Sequence, residues 1–250
     1  MRRLHEEVLP QKTKNLLGRI KEHILFTSFL FIGGTALSLR VKHRISKHLD
    51  FVCMKNSLNR VLIARFIDDL LVQGLSVEEI IPEESKLEFL EAGLNIEDYQ
   101  QDFLINGVKV SFFTLGEKER LVLKEEDSSD YIGKIKIASL NTLFKTKVFA
   151  LADRFKSRDV FDLYWLVKNK LFSVKDIFHV VKKYKGATVS DLIKRRLIYG
   201  KLPLTDEGYQ DLLLTEEKIT FEDIQKFFEE QINEYEKQQA ADIYLLDLQQ

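Results

Sequence analysis

The sequence predicts an α+β fold in which a mixed sheet over residues 1–138 is followed by a helical bundle over residues 139–250. Three observations predict it. The β-prone runs, bounded by glycine and other turn residues, all lie before Ser139. Within that part, Asn106-Gly107 separates two β-prone arms and is the strongest local hairpin signal in the chain. From Leu140 onward apolar residues recur at helical spacing almost without interruption. Strands first and helices afterwards separate into a sheet domain and a helical one.

Taken in order, Leu16, Leu17, Ile20 and Ile24 have helical spacing, with Pro10 placed in a first turn, so a helix is expected over 10–23. Phe29 to Ile32 form a short apolar run that ends abruptly at Gly33-Gly34, as a buried strand does. A short helix follows, and Leu49 to Met54 reads as a second strand carrying Asp50. Residues 59–73 repeat apolar side chains at Leu62, Ile63, Phe66, Ile67, Leu70 and Leu71 and stop before Gly74, which predicts a helix covering one sheet face. The acidic stretch to Gln101 is weakly periodic. It is expected to be an irregular connection with a strand near Ile80-Ile81 and a helical turn from Lys86 to Leu90. The hairpin spans Phe103 to Thr114, its second arm Val108–Phe113 lying in the central sheet, and another strand is expected at Lys134 to Ile137. Ser139 then caps the first of four helices expected over 140–169, 173–184, 188–199 and 220–246, the last opened by the capping pair Thr220 and Asp223.

A composition of 45% hydrophobic and 31% charged residues is that of an ordinary soluble protein. The N-terminus is basic without an apolar core, and no apolar run approaches membrane-spanning length, so a cytoplasmic protein without membrane contact is expected. Cys53 is the only cysteine, which excludes an intrachain disulfide and a zinc site built from several thiolates. Net charge is −1, yet it is distributed in blocks: +9 over 1–65, −12 over 66–130, +12 over 131–201 and −10 over 202–250. Both basic blocks contain the motifs described next, so a fold that joins the motifs also builds a positive cleft suited to nucleotide or nucleic acid. Simple neutralisation of one block by another is the rival reading.

Two glycines allow the backbone to approach a bulky anion, and Thr35 is placed to cap the helix whose first amides would face it. The expected ligand is a phosphate, bound by Gly33, Gly34 and Thr35. If the two strands pair, Asp50 lies beside the glycine turn, an arrangement that suits a metal–nucleotide site. A tight turn without a ligand is the commoner meaning of a glycine pair alone.

Further along, more matches. Gly33-Gly34-Thr35-Ala36-Leu37, His43-Arg44, Ser46 and Asp50-Phe51 resemble the first motif of the AbiEii-type toxin nucleotidyltransferases, members of the polymerase-beta-like nucleotidyltransferase superfamily. Lys147, Arg154, Arg158-Asp159 and Asp162-Leu163 resemble the later Lys, Arg and Arg-Asp motifs of that family. The resemblance implies a nucleotidyltransferase domain followed by a helical bundle, an NTP donor, Mg²⁺, an acceptor such as tRNA or another RNA, and a cognate antitoxin protein. It implies Asp50 and Lys147 as catalytic residues, Asp50 as a metal ligand, and Arg44, Lys147, Arg154 and Arg158 as nucleotide or phosphate contacts beside Gly33, Gly34 and Thr35.

The sequence departs from the superfamily's carboxylates at two places of three. His48 stands where the first acid of the alternating pair is expected, and the strand holding the third offers Ser111, with no acid between Gly107 and Gly116. Mg²⁺ prefers hard anionic oxygens and imidazole suits transition metals, so Asp50 with His48 reads as a poor magnesium site and a usable Mn²⁺ or Zn²⁺ one. Three readings stay open: a degenerate protein that still binds nucleotide, an enzyme with an altered metal, or a third acid elsewhere than this alignment places it.

At about 100° per residue along one helix, Lys147, Arg154 and Arg158 share a narrow sector, suited to β- and γ-phosphates or to a solvated basic stripe. Asp159 falls on the apolar arc with Val148, Ala152 and Leu163, and a buried carboxylate there requires a partner. Arg44 and Arg154 are the candidates, and a metal role for Asp159 is not expected. The rival to an enzyme is a catalytically silent nucleotide- or RNA-binding module acting through protein partners. A third reading makes Phe221, Ile224, Phe228 and Ile232 a partner surface on the last helix.

Overall fold

The computed structural model of the chain describes residues 4–214, 216 and 218–247, and the side chains of all of these except 243 and 245–247. Two compact units emerge, Met1–Leu143 and Phe144–Gln250, and each is treated by itself.

In the first unit, α1 (Gln11–Ile20) buries Leu16, Leu17 and Ile20, the apolar stripe its spacing announced. After it come β1 (Phe29–Ile32), α2 (Gly33–Val41), β2 (Leu49–Cys53) and α3 (Arg60–Val72), which is capped by Asn59 accepting from the Leu62 N–H at 3.1 Å. Then follow β3 (Val77–Glu79), α4 (Glu83–Glu91), β4 (Gln100–Ile105), β5 (Val108–Phe113), α5 (Glu117–Lys124), β6 (Tyr131–Ile132) and β7 (Ile135–Ile137). The strand expected at Ile80-Ile81 lies three residues earlier, because the Ile80 N–H donates to the Asp102 carbonyl only as the strand runs out beside β4. The short helix α5 was not anticipated. Its local signal is Glu119, whose carboxylate accepts from the Gly116 N–H at 3.2 Å, with Val122 and Leu123 buried behind it.

The seven strands form one mixed sheet in the order β3-β4-β5-β2-β1-β7-β6. β1 pairs antiparallel with β2 and parallel with β7, while β2 pairs parallel with β5. The Asn106-Gly107 turn joins β4 and β5 with both residues at positive φ, +47° and +77°, the conformation a two-residue hairpin turn requires. Because side chains alternate along a strand, register decides which face each residue occupies. Phe31 pairs with Phe51 and Phe51 with Phe112, which aligns three phenylalanines on one face. Phe26 and Phe66 of α3 close over them, with ring centroids 4.7 Å from Phe26 to Phe51 and 5.9 Å from Phe66 to Phe112. The adjacent row, Ile32, Asp50, Ser111 and Asp102, lies on the opposite face. One register thus sets both the aromatic core and the carboxylates.

Arg40 of α2 ties the far edge of this unit down. Its guanidinium donates to Asp130 at 2.8 Å, to Ser128 at 2.7 Å and to the Ile137 carbonyl at 3.0 Å. That clamp fixes the helix that begins at the glycine turn.

The last strand leads into α6 (Leu140–Asp153), where Ser139 Oγ accepts from the Thr142 N–H at 3.2 Å as a cap does. The helical unit continues with α7 (Ser157–Lys168), α8 (Val174–Tyr184), α9 (Val189–Tyr199) and α10 (Phe221–Asp247). The single helix expected over 140–169 is therefore two. Lys156 is extended at φ −129° and ψ 136°, and Asp206 accepts from the Ser157 N–H at 3.0 Å and from its hydroxyl, so a new helix starts there. No glycine or proline marks the break; a carboxylate about fifty residues away makes it. Burial alone would raise the Asp206 carboxyl, but the hydrogen bonds from Ser157 and Gly208 outweigh it and hold it below the usual carboxylate range. Asp206→Ala is expected to lose about 1 kcal/mol of stability, as helix caps do, measured by urea unfolding. An unchanged midpoint would exclude the capping role.

Along α10, Ile224, Phe228 and Ile232 are fully buried within the chain. The partner surface expected there is instead core, since residues four apart lie on one side of a helix and this side is covered. Tyr209 is also buried, stacked on Phe161 at 4.8 Å with its hydroxyl donating to the Ile219 carbonyl.

Candidate functional site

Gly33 begins α2 immediately after β1, with Ile32 as the helix N-cap. Its φ of +79° suits glycine, and a Cβ there would stand 2.3 Å from Asp50 Oδ2. The Asp50 carboxylate therefore lies against the glycine turn, where the antiparallel register Ile32–Asp50 places it. Gly34 is likewise occupied from outside: a Cβ would meet the Arg44 guanidinium at 2.6 Å and Ser46 Oγ at 3.1 Å. The first glycine makes room for an acid, the second for an arginine.

Thr35 does not cap α2. Its fully buried hydroxyl donates to the His48 carbonyl and shares a 2.9 Å hydrogen bond with Ser46 Oγ, pinning the segment before β2 to the helix. Ser38 Oγ donates back to the Gly34 carbonyl at 2.9 Å. His43 and Arg44 are both buried, and Arg44 also donates to the Ile45 carbonyl at 3.0 Å. Gly33 remains partly exposed, whereas Gly34 and Thr35 are covered. Asp50 and His48 are half-buried, two residues apart at the start of β2.

Asp50 pairs in register with Ser111, and Ser111 with Asp102. Asp102 did not emerge from the motif comparison because it lies on the other arm of the hairpin. Only 4% exposed, it accepts at Oδ2 from Lys109 at 2.8 Å and from Gln100 at 3.0 Å, while Oδ1 has no hydrogen-bond partner. Among the described residues, no group of three or more His, Cys, Asp or Glu side chains is arranged to hold a metal. Magnesium, however, takes one or two carboxylates and keeps several waters. Asp50 offers one hard carboxylate oxygen of that kind, and the imidazole of His48 two residues before it suits softer metals.

In the helical unit Lys147 is 7% exposed, its ammonium 2.8 Å from Asp159 Oδ1 and 2.7 Å from Asp162 Oδ2. Arg154 Nε reaches Asp159 Oδ2 at 2.9 Å. Asp159 is thus the arginine partner expected, with Lys147 added, and it joins α6 to α7. Burial alone would raise its carboxyl, but Lys147 and then Arg154 outweigh burial and hold it below the usual range. These two cations and two carboxylates are formally neutral together. Because the helix breaks between Asp153 and Ser157, Lys147, Arg154 and Arg158 do not share one helical face; Arg158 on α7 pairs with Glu207 at 2.9 Å.

No helix among the described residues is long and apolar enough to cross a membrane. An uncharacterized protein of Aquifex aeolicus (strain VF5) is 27% identical over 233 residues, covering 91% of this chain and 97% of that protein. Among solved structures, an H. pylori protein described as a proposed nucleotidyltransferase is 18% identical with a TM-score of 0.46, covering 91% of this chain and 98% of its own. MenT4, a nucleotidyltransferase toxin of Mycobacterium tuberculosis H37Rv, is 13% identical with a TM-score of 0.49, covering 88% and 84% respectively. The family described as nucleotidyl transferase AbiEii toxin, type IV TA system, matches residues 15–244. With residues 15–244 matched, this protein belongs to the AbiEii nucleotidyltransferase toxin family of type IV toxin–antitoxin systems.

Proposed function

We propose that the chain transfers a nucleotidyl group from an NTP to an RNA hydroxyl, with tRNA the acceptor class, and that a cognate antitoxin protein restrains it. The observation that carries this reading is the Asp50 carboxylate seated against Gly33 at the start of α2. The first amides of a helix have no partners within it and favour a phosphate. A divalent cation, when bound, supplies positive charge to the phosphate oxygens. Asp50 is the residue that would hold it, Mg²⁺ or Mn²⁺, with His48 as the softer neighbour. In the reaction the acceptor oxygen bonds to the α-phosphorus as the bond to pyrophosphate breaks, and the acceptor's proton passes to solvent or a nearby base. Gly33, Gly34 and Thr35 shape the turn for phosphate, and Arg44 holds that turn open by packing against Gly34. For Lys147, Arg154 and Arg158 the family assignment supports phosphate contact, with Lys147 also structural.

The second reading is a silent nucleotide- or RNA-binding module, cytoplasmic like the enzyme would be and acting through its partners. What favours it is the missing three-carboxylate cluster among the described residues. Purified protein incubated with each α-labelled NTP and total tRNA, with Mg²⁺ and separately with Mn²⁺, separates the two. Labelled RNA formed by the wild type and reduced to background in Asp50→Asn is the expected result. NTP binding by calorimetry without transfer to any RNA would establish the silent module, and neither binding nor transfer would overturn both.

A further inference from the structure

We propose that the cavity between α1, the turn after α3 and the β4–β5 hairpin holds the phosphate backbone of the acceptor RNA beside the transfer site, an inference that rests on the RNA-acceptor reading above. The cavity measures about 410 Å³ and is lined by Lys12, Asn15, Leu16 and Arg19 of α1, by Leu75 and by Asn106 of the hairpin turn. At about 100° per residue, positions 12, 15, 16 and 19 share one side of a helix, so α1 presents both cations to one space. Leu16 and Leu75 are buried and make an apolar floor, while the four polar side chains are exposed around it. Neither Lys12 nor Arg19 pairs with a carboxylate among the described residues, whereas Arg40, Arg60, Lys86 and Lys109 of the same unit each do. The two amides add donors. Asn106 Oδ1 accepts from the Ser76 N–H at 2.8 Å and from its hydroxyl at 3.1 Å; a backbone N–H only donates, so the carboxamide oxygen is committed and the NH₂ is left to donate. Asn15 is arranged alike, its Oδ1 accepting from Gln11 at 2.7 Å. Two cations and two amide NH₂ groups suit phosphate oxygens, which only accept.

Position selects RNA over an acidic peptide. β2 runs parallel to β5, with Asp50 beside Ser111, and antiparallel to β1, with Asp50 beside Ile32. The hairpin turn, the start of β2 and Gly33 therefore lie at one end of the sheet. Thr13 in the first turn of α1 donates to the Lys47 carbonyl at 3.1 Å, and Lys47 precedes Asp50 by three residues, no more than about 11 Å of chain. Lys12 Nζ lies 3.9 Å from where a Cβ on Gly107 would stand, which places the ammonium over the hairpin turn. An RNA whose reacting hydroxyl is at the glycine turn thus brings its neighbouring phosphates past this cavity. Lys12 and Arg19 are two turns apart, about 10 Å along α1, a spacing that suits successive phosphates of one strand better than one small anion. Phosphate contacts position and carry no sequence information, so the cavity sets where the acceptor lies and not which bases it has.

RNA binding without NTP or metal tests this. Fluorescein-labelled oligouridylate and labelled total tRNA are titrated with the full chain over a salt series and read by anisotropy, with urea unfolding confirming that each variant is folded. Lys12→Gln combined with Arg19→Gln is expected to weaken both RNAs by roughly 10-fold or more at low salt. It should also flatten the oligouridylate plot of log affinity against log salt by about 1.4, since each lost phosphate contact removes about 0.7. Asn106→Gly keeps the left-handed turn, removes an uncharged donor, and is expected to weaken binding with the slope unchanged. Lys14→Gln removes a charge from the opposite side of α1 and is expected to change affinity by less than about 2-fold, because an exposed charge that far from the strand is screened. Equal loss per charge in Lys14→Gln would reduce the site to diffuse attraction and overturn it. Unchanged RNA binding in the double variant would overturn it and leave the transferase reading intact, whereas RNA binding that depends on Lys12 and Arg19 without any label transfer would sustain the site and count against the transferase. Uridine monophosphate or polyglutamate bound with that same dependence, while neither RNA binds, would give the cavity to a free nucleotide or an acidic protein segment and overturn the RNA role.

Discussion

Replacing Lys147 with methionine is expected to destabilise the helical unit by about 3–5 kcal/mol, the cost of breaking a buried ion pair by removing one partner. The ammonium lies within 2.8 Å of two carboxylates, Asp159 and Asp162, that are 3% and 0% exposed, and methionine leaves them facing each other without it. Volume is nearly conserved, so packing contributes little. The sign with pH follows from Asp159. Its folded carboxyl lies below the ordinary value, so its stabilisation is fully present above the unfolded value of about 4 and is lost as pH falls through the lower folded value. Without Lys147 the Asp159 carboxyl rises, so the variant is handicapped at neutral pH and recovers relative to wild type as pH falls toward 4. Urea unfolding at pH 7 and pH 4.5 checks both parts. A difference under about 1 kcal/mol at pH 7, or one that grows in acid, would show that the network is not what joins α6 to α7.

Gly33→Ala is expected to lose about 1–3 kcal/mol through the left-handed backbone alone, and to displace Asp50 as well. The new methyl would stand 2.3 Å from Asp50 Oδ2, closer than any contact permits, so the carboxylate or the turn must shift. Transfer and Mn²⁺ binding should therefore fall together, while Gly74→Ala, at φ +76° with open space around it, incurs the backbone cost without touching the site. The steric part is separable by a double-mutant cycle. In an Asp50→Ala background the carboxylate clash disappears and Gly33→Ala should cost less, with a coupling of about 1 kcal/mol. Additive effects would mean that Gly33 serves the turn alone and does not make room for Asp50.

Much of the site was legible in the sequence. The apolar run Phe29–Ile32 ending at two glycines, followed by a short helix and a second strand with Asp50, announced a strand, a turn and an acid beside it, because apolar runs and glycine punctuation are local properties. Arg44 and Thr35 are different. Both were read as groups near a phosphate, yet one packs against Gly34 and the other pins the His48 carbonyl, and contacts across ten or more residues leave no periodic trace. The break after Asp153 was also invisible, since Asp206 imposes it from outside the local sequence. Asp102 occupies an intermediate position. A two-residue turn at Asn106-Gly107 pairs Ile105 with Val108, and counting back three on one arm and forward three on the other gives Asp102 opposite Ser111.

By itself, then, the sequence determined the division into strands first and helices afterwards and the acid at the glycine turn, which follow from spacing and local conformational preference, while its motifs carried the resemblance to the family. Only the tertiary structure decided which polar groups are satisfied: Lys147 by two carboxylates, the last helix's apolar line by its own bundle, and Asp102 with one oxygen left over. The physical reason is that burial withdraws water from polar groups wherever the chain brings them together, and what then pairs with what depends on neighbours distant in sequence.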